Sequence, residues 1–299
     1  MSLINQLKLN YPSLIVIGPY DRLPTNSYKL FRTQDEQTIG IENDEINDRE
    51  IHLLSTFLQP IDTHELKLTK QERLWKEFLE GKTNHLTLPE NLNKVRFIFF
   101  SLSDSMLELD SFQEALQSLF PRKMPLIWRN DYEGIIIEEF LGEDQEPISF
   151  DNVIDVLISD FYTKMHFFIS EDIHDLSKCQ EKYNWSYKCF ELSKKYQLGK
   201  VVEFQEVIPY VFINALSDQD LTSLQQSMLL EVEEDKELLR TIRVFLEAGS
   251  NTTLASKLLF MHRNSLQYRV DKFIEKTGVD VKQFDQAAIV YLLLLHSKL

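Results

Sequence analysis

The chain has 299 residues, of which 43% are hydrophobic and 26% are charged, with 8 Gly and 9 Pro. These values are typical of globular domains and exclude long low-complexity tracts, and the length allows two or three domains. No run approaches the roughly 18 apolar residues of a membrane span, and the N-terminus lacks the pattern of a secretion signal, so a cytoplasmic protein is expected. The net charge of −15 disfavours nucleic-acid binding unless basic residues are concentrated in one segment.

Residues 1–62 are predicted to form a small mixed α/β unit. Two short strands and a helix with periodic apolar residues are expected there, at Ser13–Gly18, Thr38–Ile41 and Asp48–Leu58. Residues 63–89 are predicted to be a helical linker, in which a helix at Lys70–Glu80 ends at Gly81.

Residues 90–218 are predicted to form an α+β domain with helices on one face of a sheet. Val95–Leu102 is apolar enough for a buried strand, and Pro125–Trp128 and Gly134–Phe140 flank a short polar link, which predicts a β-hairpin. The other expected elements are four helices and two strands, at Leu109–Phe120, Phe150–Tyr162, Met165–Ser170, Asp175–Tyr196, Lys200–Phe204 and Pro209–Leu216.

Cys179 and Cys189 lie ten residues apart in the long helix predicted at Asp175–Tyr196. This spacing puts them on different helix faces and about 15 Å apart along the axis, which is too far for a disulfide. Reduced, buried thiols are therefore expected.

Residues 219–299 are predicted to be an all-α domain. An apolar stripe from Leu238 to Leu246 predicts a helix that ends at Gly249, and a short helix capped by Asn251, Thr252 or Thr253 follows. After a turn at Phe260–Met261, a third helix is expected from His262 to Thr277, before Gly278. A last helix from Gln283 contains the apolar run Ala287–Leu295, which predicts packing on two sides.

The short second helix and the third helix match a helix-turn-helix arrangement. The buried residues are expected to be Leu254, Ala255, Leu258 and Leu259 in the second helix and Leu266, Val270, Phe273 and Ile274 in the third. Ala255 is small where the helices approach, and Leu258 and Leu266 are expected to hold their crossing angle.

Basic residues are concentrated in this region. Residues 240–276 contain seven Lys/Arg and three Asp/Glu, a net of +4, whereas residues 1–239 carry a net of −19. This distribution is typical of a DNA-binding module attached to domains that do not bind phosphate.

The outer face of the third helix carries the side chains that can read DNA. Arg263 suits guanine edges, and Asn264 and Gln267 suit adenine. Ser265, Lys257 and Lys276 are better placed for phosphates, whereas Tyr268 is equally suited to a phosphate contact and to supporting neighbouring helices. The predicted DNA-binding residues are Lys257, His262, Arg263, Asn264, Ser265, Gln267, Tyr268, Arg269 and Lys272. Among them, His262 is expected to act as a helix cap or a backbone partner rather than as a metal ligand.

Residues 238–295 resemble the C-terminal helix-turn-helix domain of the PucR/CdaR group of bacterial regulators. The resemblance rests on Gly249–Asn251, His262–Leu266, Tyr268–Arg269 and Thr277–Gly278, which match the family's Gly-x-Asn link, its His-Arg-Asn-Thr-Leu-x-Tyr-Arg core and the following Thr-Gly. Ser265 stands where the family has Thr, and Val270 where it has Leu. This resemblance and one to the Fis-type helix pair imply that Arg263, Asn264, Ser265, Gln267 and Tyr268 recognise DNA.

Residues 90–218 resemble the degenerate cyclase-like (GGDEF-like) domain that is usual upstream of this DNA-binding domain. The hairpin reads Asn130-Asp131-Tyr132-Glu133-Gly134 instead of Gly-Gly-Asp-Glu-Phe, and without those glycines the backbone cannot close on a nucleotide. Asp104 alone is weak evidence for a metal site. Residues 1–62 leave no room for the family's diacid-recognition module, so a sugar-diacid effector is not implied.

No catalytic residue, metal site or cofactor is expected elsewhere. The acidic stretch Glu42–Glu50 is predicted to be a solvated turn, and the acids of Glu171–Asp175 lie where a helix starts and acids act as caps. Neither a phosphate-binding glycine loop nor a nucleophile elbow is found in the sequence.

The sequence therefore predicts a homodimeric, sequence-specific transcription regulator that binds double-stranded DNA. Its N-terminal domains are expected to sense a signal, such as a small-molecule effector that the sequence does not identify, or to mediate assembly. Ala287–Leu295 could form the dimer surface or pack within its own domain. Two alternatives stay open: a protein-docking adaptor without DNA binding, and a nucleotide-sensing enzyme.

Overall fold

The computed structural model describes residues 3–18, 28–61, 68–83, 89, 91–103, 109–142, 146–151 and 153–296. It is a mixed α/β structure with a helical C-terminal region. The chain divides into two compact units, of which the first comprises Met1–Ile148, Leu157–Lys164 and Ile173–Gln180, and the second comprises Ser149–Val156, Met165–Asp172 and Glu181–Leu299. No helix in the described ranges is long and apolar enough to cross a membrane. The division predicted from the sequence, with boundaries near residues 62, 89 and 218, stays a prediction.

The first unit begins with an antiparallel sheet of four short strands. The elements in chain order are α1 (Leu3–Asn10), β1 (Ile15–Ile17), β2 (Tyr28–Arg32), β3 (Thr38–Glu42), α2 (Asp48–Leu54) and β4 (Gln59–Ile61). The strand order is β1-β3-β2-β4, and α1 and α2 contribute Leu7 and Leu54 to its core. β1, β3 and α2 confirm the sequence prediction, whereas β2 and β4 were not predicted.

The acidic stretch Glu42–Glu50 has structural roles instead of forming only a solvated turn. Glu45 accepts hydrogen bonds from the backbone N–H and hydroxyl of Ser13, at 3.0 and 2.6 Å. Asn47 and Glu50 form a capping box at the start of α2. These hydrogen bonds give Glu45 and Glu50 structural roles that do not require a metal ion.

The rest of the first unit contains α3 (Lys70–Leu79), β5 (Leu92–Leu102), α4 (Leu109–Ser118), β6 (Leu126–Trp128) and β7 (Glu133–Leu141). β7 pairs antiparallel with both β6 and β5, which confirms the predicted hairpin and buried strand. A Cβ atom at Gly134 would overlap the ring of Phe100, so the glycine permits close packing at this point.

A buried ion pair joins β5 to β7. Arg96 Nε donates to Glu138 Oε2 at 2.8 Å, and the other Glu138 oxygen accepts the N–H of Ile148 at 3.1 Å. Arg96 Nη2 also donates to the carbonyl of Ile148 at 2.9 Å. Both charged groups are buried, so the loss of either one would leave the other buried without a counter-charge and would destabilise the fold.

In the second unit, β8 (Met165–Ile169) and β9 (Val201–Glu203) pair in parallel. α6 (Cys179–Lys195) lies between the two strands in the chain, and α7 (Phe204–Ala215) follows β9. α5 (Ile154–Phe161) precedes β8. α7 starts earlier than predicted. The prediction placed Pro209 at the start of the helix, whereas Pro209 lies inside it.

Both cysteines are free and buried, as predicted. Burial raises the pKa of the Cys179 thiol to about 12 and that of Cys189 to about 11. Both thiols are therefore protonated at neutral pH.

Within the described residues, the C-terminal region of the second unit contains the α-helices α8 (Asp218–Leu229), α9 (Lys236–Glu247), α10 (Thr252–Leu258), α11 (Arg263–Thr277) and α12 (Phe284–His296). Val290, Leu293 and Leu294 of α12 belong to the core of α9–α11, whereas Leu295 packs with Ile213 and Leu221 of α7 and α8. α12 is thus packed on two sides, as its apolar sequence predicted.

We expect Glu138→Ala to lower the free energy of unfolding by about 3–5 kcal/mol, because it leaves the buried Arg96 guanidinium without its counter-charge. Urea unfolding followed by circular dichroism measures the change. Glu36→Ala is the control, since Glu36 pairs with Arg32 at the surface and its loss is expected to cost about 0–1 kcal/mol. A loss at position 138 no larger than that of the control would contradict the assignment.

Candidate nucleic-acid interface

One face of α11 is fully buried against α9 and α10. Leu266, Val270 and Phe273 of α11 lie in the same core as Ala255 of α10. α9 contributes four large apolar side chains to this core, Leu238, Leu239, Ile242 and Phe245. This packing fixes α11 by its apolar face and leaves the opposite face to solvent.

The ends of α10 and α11 are defined by side-chain caps. The Asn251 side chain accepts the N–H groups of Thr253 and Leu254, each at 3.0 Å, so Asn251 is the cap among the three residues that the sequence offered. His262 Nδ1 accepts the N–H of Asn264 at 3.2 Å, which confirms its role as a cap. Gly278 ends α11 in the left-handed conformation, with φ of +70°.

The predicted burial of Leu254 and Leu258 in α10 is wrong. Their exposed fractions are 46% and 55%, while Ala255 and Ser256 are buried and Leu259 is partly buried. Successive helix positions differ by about 100°, so a buried face centred between Ala255 and Ser256 places both leucines more than about 100° away, on the solvent side. Leu266, which is fully buried, therefore contributes to the helix crossing, and Leu258 does not.

Most of the predicted DNA-binding residues of α11 lie on its open side. Arg263, Asn264, Ser265 and Tyr268 are exposed, Tyr268 to 70%. Gln267 is half-buried and donates to Asp271 Oδ1 at 3.0 Å. Lys257 of α10 is also exposed.

Arg269 and Lys272 differ from these residues because each has an acidic partner near the start of α9. Arg269 Nη2 donates to Glu237 Oε1 at 2.6 Å, and its Nη1 donates to the Thr241 hydroxyl at 3.0 Å. Lys272 Nζ donates to Asp235 Oδ2 at 3.0 Å, and this hydrogen bond lowers the pKa of the Asp235 carboxyl. Neither acid was predicted from the sequence to belong to this site.

These groups line a cleft of about 650 Å³ between the start of α9 and α11. Its lining residues are Asp235, Glu237, Leu238, Asn264, Ser265, Tyr268, Arg269 and Lys272. The cleft thus combines the paired cations with exposed side chains that were predicted to bind DNA.

Asp271 holds the far side of α11 to the segment before α12. Its Oδ1 accepts a hydrogen bond from Lys282 Nζ at 2.8 Å as well as the one from Gln267. The Lys282 contact is the largest cause of the lowered pKa of the Asp271 carboxyl.

The described residues contain no group of three or more His, Cys, Asp or Glu side chains that could hold a metal ion. Asp175 caps the short 3-10 helix Leu176–Lys178, as expected of an acid at a helix start, whereas Glu171 forms an ion pair with Lys182 at 2.8 Å. Asp104 lies outside the described residues.

Comparison with known proteins connects this site to a family. The PucR C-terminal helix-turn-helix domain matches residues 238–295. The uncharacterized protein YxkF of Bacillus subtilis strain 168 is 30% identical over 274 residues, which cover 90% of this chain and 91% of YxkF.

The relatives of this chain include proteins that are named as regulators. The proline-responsive transcriptional activator PutR of Bacillus subtilis strain 168 is 24% identical over 183 residues, covering 55% of this chain and 43% of PutR. The carbohydrate diacid regulator of Escherichia coli strain K12 is 37% identical over 57 residues, covering 19% of this chain and 15% of that protein. The chain thus spans less than half the length of these two regulators.

The helix pair and these matches define a helix-turn-helix transcription regulator. The chain belongs to the PucR-type regulators, a family whose C-terminal domain implies DNA binding.

We expect Leu266→Ala to lower the free energy of unfolding by about 2–5 kcal/mol, because it opens a cavity in the core beneath α11. Leu258→Ala is the matched control and is expected to change it by no more than about 0.5 kcal/mol, since Leu258 is exposed. Thermal or urea unfolding measures both values. If the two variants lost similar amounts of unfolding free energy, Leu258 would have to be part of the core and its assignment as an exposed residue would be wrong.

Arg263→Ala is expected to remove sequence preference at one base position, at a cost of about 1–3 kcal/mol in binding to the preferred DNA. The measurement is fluorescence anisotropy with a duplex selected by the protein from genomic fragments and with a scrambled duplex. Arg240→Ala removes the same charge from the exposed side of α9 and is the control. An equal loss on both duplexes would assign Arg263 to the phosphate backbone instead.

Proposed function

We propose that this protein is a sequence-specific DNA-binding transcription regulator of the PucR/CdaR type, which acts as a homodimer in the cytoplasm. The observation that carries the proposal is the division of α11 into a buried apolar face and a solvent-exposed polar face. A helix held in this way can enter a major groove without any change in the core that supports it.

The side chains divide into base-reading and backbone-binding groups. Arg263 and Asn264 stand in the first turn of α11, where they suit guanine and adenine edges, and Gln267 follows one turn later. Lys257 and Ser265 suit phosphates, which fix the position of the protein on the duplex but carry no sequence information. Tyr268 is proposed to contact the DNA backbone as well, and its high exposure supports this role.

Dimerisation multiplies the modest specificity of one helix-turn-helix, because two half-sites about one helical turn apart are bound together. Ala287–Leu295 is a poor candidate for the dimer surface. Val290, Leu293, Leu294 and Leu295 are buried within the second unit, and within this run Ile289 is the exposed large apolar residue. The dimer surface is thus proposed to lie on another part of the chain.

Residues 90–218 are proposed to be a degenerate GGDEF-like domain that senses a signal or mediates assembly without catalysis. The hairpin supports this proposal, since the Asn130 side chain accepts the N–H groups of Tyr132 and Glu133, each at 2.8 Å, and closes the turn on itself. A turn closed by its own side chain differs from the glycine turn that a working cyclase uses to bind nucleotide.

DNA binding by this surface is expected to weaken steeply with salt, because each phosphate contact releases counterions and adds about −0.9 to the slope of log K against log[salt]. Anisotropy titrations between about 50 and 200 mM salt measure the slope. Lys257→Gln is expected to reduce its magnitude by roughly one phosphate contact, whereas Lys8→Gln, on the exposed side of α1, is expected to leave it unchanged. A slope near zero, or no binding to DNA, would favour a protein-docking role instead.

A further inference from the structure

We propose that Glu237 competes with the phosphates of the DNA backbone for Arg269. Its ion pair keeps Arg269 from binding phosphates in DNA of any sequence. Asp235 holds Lys272 in the same way. The inference rests on the proposed function, because it describes how this same surface controls its affinity for DNA.

The geometry places the competing charges directly beside the DNA-reading residues. Both ion pairs line the cleft that also contains Asn264, Ser265 and Tyr268. A phosphate that enters this cleft therefore meets two cations that already have carboxylate partners at 2.6 and 3.0 Å. The carboxylates also repel the phosphate, so the cleft attracts a nucleic-acid backbone less than its two cations alone would.

Arg269 is held by two contacts that cooperate. The Thr241 hydroxyl accepts from Arg269 Nη1 and donates to the backbone carbonyl of Glu237 at 2.8 Å, so its orientation is fixed. The exposed fractions of the side chains are 30% for Arg269 and 75% for Glu237. The pair is thus accessible to solvent and can be exchanged for a phosphate, but only if Glu237 is displaced.

Base recognition does not depend on this exchange. Arg263 has no ion-pair partner among the described residues, and it lies in the first turn of α11, whereas Arg269 lies further along the helix. The competitor therefore acts on the sequence-independent part of the affinity and leaves base contacts available. Non-specific binding depends almost wholly on phosphates, so it is the binding mode in which the loss of Glu237 is easiest to measure.

Glu237 is a better residue to test than Asp235. The Asp235 side chain also caps α9 by accepting the N–H of Leu238 at 3.1 Å, so its substitution would disturb the helix as well as the ion pair. The Glu237 side chain makes no capping contact within the described residues. Glu231 provides a matched control, because it is an exposed acid six residues earlier with no cation partner in the described part of the chain.

The experiment compares the full-length protein with Glu237→Gln and Glu231→Gln on a scrambled duplex by fluorescence anisotropy. Glu237→Gln is expected to bind roughly three- to tenfold more tightly at about 50 mM salt and to increase the magnitude of the salt slope by about 0.9, as one added phosphate contact requires. Glu231→Gln, with the same change in net charge, is expected to change the affinity by less than about twofold. Circular dichroism checks that each variant is folded.

The double variant Glu237→Gln/Arg269→Gln tests whether Arg269 makes the added contact, and it is expected to lose the gain in affinity. A gain that persists without Arg269, or one that Glu231→Gln reproduces, would overturn the inference and leave the proposed function intact. If the wild-type protein bound neither scrambled nor selected DNA, the proposed function would fail and the inference would fail with it.

Discussion

The burial of one face of α11 determines where its other face points. Leu266, Val270 and Phe273 are almost completely excluded from solvent, and Ala255 allows α10 to approach them closely. Since protein interiors are close-packed, a rotation of α11 about its axis would open cavities in the core. The polar residues of α11 therefore owe their orientation to apolar residues that make no contact with DNA.

Electrostatic contacts refine an arrangement that packing has already fixed. Glu237 and Asp235 join the start of α9 to the middle of α11, and Asp271 joins α11 to Lys282 near the start of α12. These pairs are partly exposed, so each one contributes little to the free energy of folding. Their larger effect is on the potential at the surface, because they partly neutralise a basic segment within a chain of net charge −15.

The elements with a continuous apolar run or a clear apolar stripe could be predicted from the sequence, as the buried strand β5 and the helix α9 illustrate. The strands β2 and β4 could not, because apolar and polar residues alternate only weakly in β2 and β4 contains a proline. The face of α10 was mispredicted for a different reason. In a helix of seven residues, hydrophobicity favours burying leucines, whereas close helix packing favours the smaller Ala255 and Ser256.

Within the candidate site, the outward face of α11 followed from its sequence, but the pairing of Arg269 and Lys272 did not. Their acidic partners lie 32 and 37 residues earlier in the chain, and only the packing of α9 against α11 brings them together. Local spacing contains no information about such pairs.

The two buried thiols have a consequence for how this regulator can respond to its surroundings. Oxidants attack the thiolate, and access to the sulfur is also required. Cys179 and Cys189 are both buried, and the pKa of each thiol is raised well above neutral pH. Neither residue therefore has the reactive thiolate that a peroxide sensor requires. A cysteine introduced on the exposed surface of α11 would react with a spectroscopic label in preference to these two buried thiols.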